Sequence, residues 1–254
     1  MGIGGEDRSV AVSASGGPAG RWLLLTGATS AIGQAVAEKW RQQGGLVVGV
    51  TRSAPMRGPR ASTCDAWIEA DLRQSWEAAE RVAAWADRHP MAAFVHAAGV
   101  VYADAADATT PDEWEQTWAV NVTAGFALAR VLAAQVAGPR SIVLVGSIDA
   151  YFAPRAGPDA AYGAAKAAVL GLIRHLAVEW GPRGVRVNAV VPGPMAGGMG
   201  LPRDQASQWA AGAADGCLAT PAEVAAVIVF LVTAAAGGIT GQSIVVDHGY
   251  HLGY

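Results

Sequence analysis

The 254-residue chain is 52% hydrophobic and 15% charged, with 32 glycines and a formal net charge of −3. That composition fits a globular protein with a sizeable core and excludes a disordered one. The slightly acidic balance argues against nucleic acid or an anionic membrane as the main partner, and two isolated cysteines, Cys64 and Cys217, suit a reducing cytoplasm and no zinc site.

Residues 1–20, rich in Gly, Ser and Ala, hold no apolar run long enough for a signal peptide or a membrane span and read as a flexible leader. Trp22 to Leu25 is a short apolar run ending in Thr26-Gly27-Ala28-Thr29-Ser30-Ala31-Ile32-Gly33. Ile32, Val36 and Trp40 then share a helical face that stops at Gly44-Gly45, which makes a strand, a tight turn and a helix. Leu46 to Val50 predicts a second buried strand, and Trp67 to Ala70 a third, followed by Asp71 and a helix to about Arg88. Ala93 to His96 is a fourth strand, leading into Ala97-Ala98-Gly99. Pro111 opens one long helix carrying Trp114, Trp118 and Val122 towards Val136. Ser141 to Val145 is a fifth strand, Ala160 to about Trp180 a helix, and Val185 to Val191 a sixth strand closed by Pro192-Gly193. Pro194 to Gly200 reads as mobile. Two helices are expected around Arg203 to Ala211 and Pro221 to Val232, and Ser243 to Val246 is the last strand.

Strands alternating with helices predict an α/β fold, with a parallel sheet of about seven strands and helices on both faces. No linker or internal repeat divides residues 21–254, so one doubly wound domain is expected, with ligands beyond the carboxyl ends of its strands.

Tyr162 and Lys166 lie one helical turn apart on the same face. An ammonium so placed favours the phenolate and lowers a pKa of about 10, giving a proton donor and acceptor near neutral pH. A solvated helix pair is the ordinary use of that spacing. Here it accompanies Ser147, which ends an apolar run, and a glycine turn after the first strand. Gly27 and Gly33 in that turn let the backbone approach a pyrophosphate at a helix N-terminus.

Over nearly its whole length the chain resembles the short-chain dehydrogenase/reductase family, whose fold is a single Rossmann domain. The family's Thr-Gly-x-x-x-Gly-x-Gly appears as Thr26, Gly27, Ala31 and Gly33, with alanine at the middle glycine. Its Asp-Leu or Asp-Val after the third strand matches Asp71-Leu72, and its Asn-Asn-Ala-Gly appears as His96-Ala97-Ala98-Gly99. Its helix asparagine matches Asn121, its strand-end serine Ser147, and its Tyr-x-x-x-Lys is intact. Pro192-Gly193 and the Gly241 to Asp247 segment match two further motifs. The threonine often found four residues after Pro-Gly is Gly197 here, and the fifteen residues from Ser147 to Tyr162 exceed the common spacing by about two.

The resemblance implies a catalytic set of Asn121, Ser147, Tyr162 and Lys166. Tyr162 gives its proton to a carbonyl oxygen as hydride arrives, Ser147 hydrogen-bonds that oxygen, and Lys166 tunes the tyrosine and holds the nicotinamide ribose. Asn121 positions a water that links Lys166 to solvent. The cofactor is expected along Gly27, Thr29, Ser30, Ala31, Ile32 and Gly33, then Asp71 and Leu72. Nearer the reacting end it is expected against Ala97, Ala98 and Gly99, Tyr162 and Lys166, and Pro192, Gly193 and Met195.

NADP(H) is expected over NAD(H). No acidic residue occurs from Leu46 through Cys64 to bind the ribose hydroxyls, and the second strand ends in Thr51-Arg52-Ser53, whose guanidinium and hydroxyls suit a 2′-phosphate. The reaction implied is ketone–secondary alcohol interconversion. An NAD-linked alcohol dehydrogenase and a non-catalytic cofactor-sensing protein are the alternatives. The substrate is expected to be a bulky, mainly apolar small molecule held by Tyr151, Phe152, Met199 and Trp209, with Met195 and Leu201 nearby. Asp149 and Arg155 are surface charges or substrate contacts. His96 reads as buried and hydrogen-bonded, and His248 and His251 lack ligand partners at metal spacing. Trp114 and Trp118 read as core or subunit contacts. A homo-oligomer, tetramer or dimer, is expected through the Pro111 helix and the small residues Ala164, Ala165, Ala167, Ala168 and Gly171.

Overall fold

Apolar runs without alternation require cover on both faces of a sheet, and the central strands receive it. The computed structural model describes residues 19–53, 61–102, 105–135, 140–153, 159–195 and 206–253. Nearly all of the expected leader lies outside these residues, as do Arg155, Gly197, Met199, Leu201 and Arg203. β1 (Trp22–Thr26), β2 (Leu46–Thr51), β3 (Ala66–Glu69), β4 (Met91–His96), β5 (Ser141–Val145), β6 (Arg186–Pro192) and β7 (Ser243–Val246) form one sheet. Every neighbouring pair is parallel, in the order β3-β2-β1-β4-β5-β6-β7. All of β4 and β5 is buried, whereas β7 at the edge is only half-buried throughout.

Period-two side-chain alternation splits the core in two. Leu24, Val48 and Phe94 join the cluster under α2 (Ser75–Ala86), α4 (Ala124–Ala134) and α5 (Ala160–Trp180). Leu23, Leu25, Val47 and Val143 join the cluster under α1 (Ala31–Gln42) and α7 (Pro221–Val232). Phe94 is fully buried, and truncating such a ring to alanine costs about 3–5 kcal/mol.

The long helix expected from Pro111 is interrupted. α3 (Pro111–Trp118) opens with a Thr110–Glu113 capping box. One π-helical turn, Ala119–Thr123, then carries Asn121 before α4 begins. By length and composition, residues 111–134 could cross a membrane, yet 56% of their most apolar window is buried inside the fold. α6 (Ala206–Ala210) is the described part of the helix expected from Arg203. Trp114 is 45% exposed and belongs to the surface, while Trp118 is half-buried.

Strand order reverses between β1 and β4, whose connections leave in opposite directions, and a crevice opens beyond their carboxyl ends.

Candidate active site

The crevice is a cleft of about 1200 Å³. Its floor begins at the end of β1, where Gly27 has φ +68° and a Cβ would fall 2.5 Å from Ala97 O, so only glycine fits. Gly27 O accepts from Ser30 N at 2.9 Å, and Ser30 Oγ caps α1 by accepting from Gly33 N at 3.0 Å. Gly33 faces the turn, not the cleft: a Cβ there would lie 2.1 Å from Gly27 O. Thr29, Ser30, Ala31 and Ile32 line the cleft, and the extra methyl of Ala31 sits exposed at the helix start. The helix N-terminus thus faces space suited to a diphosphate.

At the far end, Thr51 and Arg52 follow β2, and Asp71 and Leu72 follow β3, all lining the cleft. Ser53 does not line it, and Thr51 Oγ1 donates to Ser53 O at 3.2 Å, so this hydroxyl is not the free donor the sequence suggested. Arg73, which the sequence reading missed, clamps Asp71 through Nη2 at 2.6 Å and Nε at 2.9 Å. These hydrogen bonds, with a smaller contribution from the Arg52 charge, hold the Asp71 carboxyl below its ordinary range.

At the reacting end, β5 delivers Ser147 and α5 delivers Tyr162 and Lys166 to one wall. Lys166 is buried, donates to Val145 O at 2.9 Å, and holds Nζ 5.4 Å from the Tyr162 ring centroid. Burial pushes its ammonium down to about 8, opposed by the Asp149 carboxylate. The expectation that Lys166 lowers the phenol is reversed in the protein alone. Burial, and then the Asp149 and Asp159 charges, push Tyr162 above its ordinary range against a Ser147 hydrogen bond that lowers it. Desolvation is the largest of these causes, because the phenol is buried in the cleft wall.

Asn121 lies behind that wall and is 1% exposed. Its Nδ2 donates to Val100 O at 2.9 Å and Thr117 O at 3.0 Å, while Oδ1 is buried without a partner. Such an orphan acceptor suits an ordered water, and a π turn is a frequent device at functional sites. Ala97, Ala98 and Gly99 follow β4 along the cleft, and Pro192, Gly193 and Met195 follow β6.

The substrate expectations need correction. Tyr151 and Phe152 do not line the cleft: Tyr151 is 51% exposed and Phe152 packs against the core. The short 3-10 turn Ile148–Ala150 is the reason, since it brings Ser147, Ile148 and Asp149 to the cleft and carries the aromatic pair past it. Trp209 does line it, stacked on Tyr250 with centroids 6.2 Å apart. Asp159, also missed, caps α5 by accepting from Tyr162 N at 2.9 Å. An aspartate three residues before Tyr162 is a cap signature that the sequence offered.

His96 is buried as expected. His248 and His251 do meet carboxylates: His248 Nδ1 lies 2.7 Å from Asp215 Oδ2, and His251 Nδ1 lies 2.6 Å from Asp247 Oδ2. Among the described residues no group of three or more candidate ligands could hold a metal ion.

A family model described as enoyl-(acyl carrier protein) reductase matches residues 27–251. The chain is 34% identical over 248 residues to 2,3-dihydro-2,3-dihydroxybenzoate dehydrogenase of Escherichia coli, covering 92% of this chain and 98% of that protein. It is 32% identical over 243 residues to galactitol 2-dehydrogenase (L-tagatose-forming) of Cereibacter sphaeroides, covering 91% and 95% respectively. A solved structure of a candidate NAD(P)-dependent gluconate 5-dehydrogenase from Beutenbergia cavernae, with NADP bound at low occupancy, superposes with TM-score 0.81. It shares 31% identity, with coverage of 92% of this chain and 98% of that one.

Proposed function

The chain belongs to the short-chain dehydrogenase/reductase family and is an oxidoreductase of secondary alcohols, and on that footing we propose that it uses NADP(H), with Tyr162 as general acid–base. The observation that carries this reading is the convergence of Ser147, Tyr162 and Lys166 with the Gly27 turn in one cleft. A bound nicotinamide cofactor supplies the hydride chemistry. The protein's own groups do the rest. Ser147 and Tyr162 hold the reacting oxygen, and Tyr162 exchanges its proton there. Lys166, already desolvated beside the phenol, carries the positive charge that favours phenolate once a ligand rearranges the wall. Asn121 Oδ1 holds a water on the route from Lys166 to solvent.

The matching family model is described as an enoyl reductase, but the two relatives named above are dehydrogenases acting on hydroxyl-bearing compounds. The intact four-residue step from Tyr162 to Lys166 supports carbonyl–alcohol chemistry. Support for NADP(H) comes from Arg52 and Arg73 together at the adenosine end, two guanidiniums against the single carboxylate of Asp71. We place the enzyme in a reducing cytoplasm, consistent with Cys64 and Cys217 as free thiols, and read it as a homo-oligomer. The test is steady-state oxidation of a polyol panel with NADP+ and NAD+. Turnover faster with NADP+ supports the reading, and cofactor binding without turnover on any alcohol or ketone would overturn it.

A further inference from the structure

The substrate end of the cleft is acidic where the sequence suggested an apolar lining. Asp149 and Asp159 both line it beside Tyr162. Asp149 sits two residues beyond Ser147, and its backbone N–H donates to Ser147 Oγ at 3.2 Å. Ser147, Asp149, Asp159 and Tyr162 thus line one stretch of the cleft, and the Asp149 charge helps to raise the Tyr162 phenol. Asp159 uses Oδ1 to cap α5, and its Oδ2 is buried with no hydrogen-bond partner. Neither carboxylate forms an ion pair with a described residue.

Carboxylate oxygens accept and do not donate. Asp159 Oδ2, left without a donor, is costly, and the two charges on one cleft disfavour each other and the forming phenolate. A ligand that brings hydroxyl donors relieves the first cost without adding charge. Tyr162 and Ser147 already serve the reacting oxygen, so the donor that reaches Asp149 belongs to the neighbouring carbon. Resting on the dehydrogenase reading above, we propose that Asp149 and Asp159 are the substrate-recognition pair and that the substrate is a neutral vicinal diol or longer polyol. The hydroxyl next to the reacting carbon donates to Asp149, and a further one reaches the free oxygen of Asp159. On oxidation the carbinol C–H breaks, its electron pair leaves as hydride to the oxidised nicotinamide, and the O–H proton passes to Tyr162. The product is an α-hydroxy ketone.

Four probes of one carbon skeleton test this with the full-length enzyme: butane-2,3-diol, butan-2-ol, 3-hydroxybutanoate and 3-aminobutan-2-ol. The diol is expected to exceed the mono-alcohol and the hydroxy acid in kcat/KM by at least roughly tenfold, the scale of a hydrogen bond to a charged acceptor. In Asp149→Asn the diol-to-mono-alcohol ratio is expected to collapse to within about threefold, the mark of a lost differential contact. Asp159→Asn keeps the capping oxygen and so preserves α5; its effect is read with a fifth probe, butane-1,2,3-triol, whose kcat/KM relative to the diol is expected to fall. NADPH fluorescence and circular dichroism check that both variants are folded. Equal turnover of diol and mono-alcohol, preference for the hydroxy acid or the amino alcohol, or the respective ratio unchanged in both variants overturns the proposal alone. No turnover of any probe by wild-type enzyme overturns it together with the dehydrogenase reading.

Discussion

His96 Nδ1 lies 2.9 Å from Thr26 Oγ1, tying the ends of β4 and β1 together directly beneath the cleft. Ala98 N donates to that same hydroxyl at 3.2 Å, which leaves the threonine proton for Nδ1. The network therefore assigns the other proton to Nε2, which donates to Val120 O at 3.0 Å in the π turn beside Asn121. Where the family has asparagine, a neutral imidazole joins both strands to the turn.

Burial pushes the His96 imidazole down to about 3 from 6.5. Between those values the unfolded chain binds a proton that the folded protein refuses. Stability is therefore full above 6.5 and is lost as pH falls towards 3. His96→Gln should flatten this acid limb while costing roughly 1–3 kcal/mol at neutral pH, since one of its partners is left unpaired. Urea unfolding of both proteins at about pH 7.5 and about pH 5 measures it. An unchanged slope would remove His96 as the cause.

Tyr162→Phe deletes one hydroxyl and leaves the ring in place. Turnover should fall by roughly 10²–10⁴-fold, the usual worth of a positioned acid–base group, with NADPH affinity nearly intact. Stopped-flow hydride transfer and fluorescence titration separate the two effects. A variant that keeps more than a few per cent of wild-type kcat would displace Tyr162 from its role.

Lys166→Met should abolish turnover and weaken cofactor binding, yet stabilise the protein in the absence of cofactor. The folded lysine titrates near about 8 against 10.5 when unfolded, so at neutral pH its buried charge costs on the order of 3 kcal/mol. The unfolded chain binds the extra proton between those values, so wild-type stability rises with pH across that window. The difference in melting temperature between variant and wild type should accordingly shrink from about pH 8 to about pH 10.5. A variant less stable at neutral pH would show that the bond to Val145 outweighs desolvation.

Arg52→Ala should weaken NADPH binding by roughly 1.5–3 kcal/mol, the scale of hydrogen bonds to a charged group, and leave NADH little changed. Arg73→Ala should do the same to a lesser degree, because Arg73 already pairs with Asp71. Isothermal titration with both cofactors decides it. Equal wild-type kcat/KM for NADPH and NADH would remove the preference altogether.

Of the small residues expected to pair α5 with a second copy, exposed Ala167 and half-buried Ala168 and Gly171 remain for that contact, whereas Ala165 is fully buried in the fold and Ala164 lines the cleft. Trp76 and Trp114, 52% and 45% exposed, lie on α2 and α3. Light scattering at micromolar concentration should report a dimer or tetramer, and Ala167→Glu should dissociate it. A monomeric wild type would end this reading.

Residues Ser141–Val145 and Ser243–Val246 were legible to the residue, as was the start of α5 at Ala160, because strand runs and helix faces are local patterns. So were Gly27, Tyr162 and Lys166, since a left-handed turn and a one-turn spacing are properties of neighbouring residues. The π turn was not, because a shifted backbone hydrogen bond leaves the apolar spacing of residues 111–134 nearly unchanged. Nor was the direction in which Tyr162 and Lys166 are shifted, since it depends on burial assembled from β5, α5 and the Asp149 turn. His96 shows the division most plainly. The sequence by itself determined that it ends a buried strand, but its partners Thr26 and Val120 stand 70 and 24 residues away. Likewise Asp159 announces a helix cap in sequence, whereas only the folded cleft brings it together with Asp149 and Tyr162. Periodicity records which face of a segment is apolar, and packing among distant segments decides which polar groups meet there and what charge they carry.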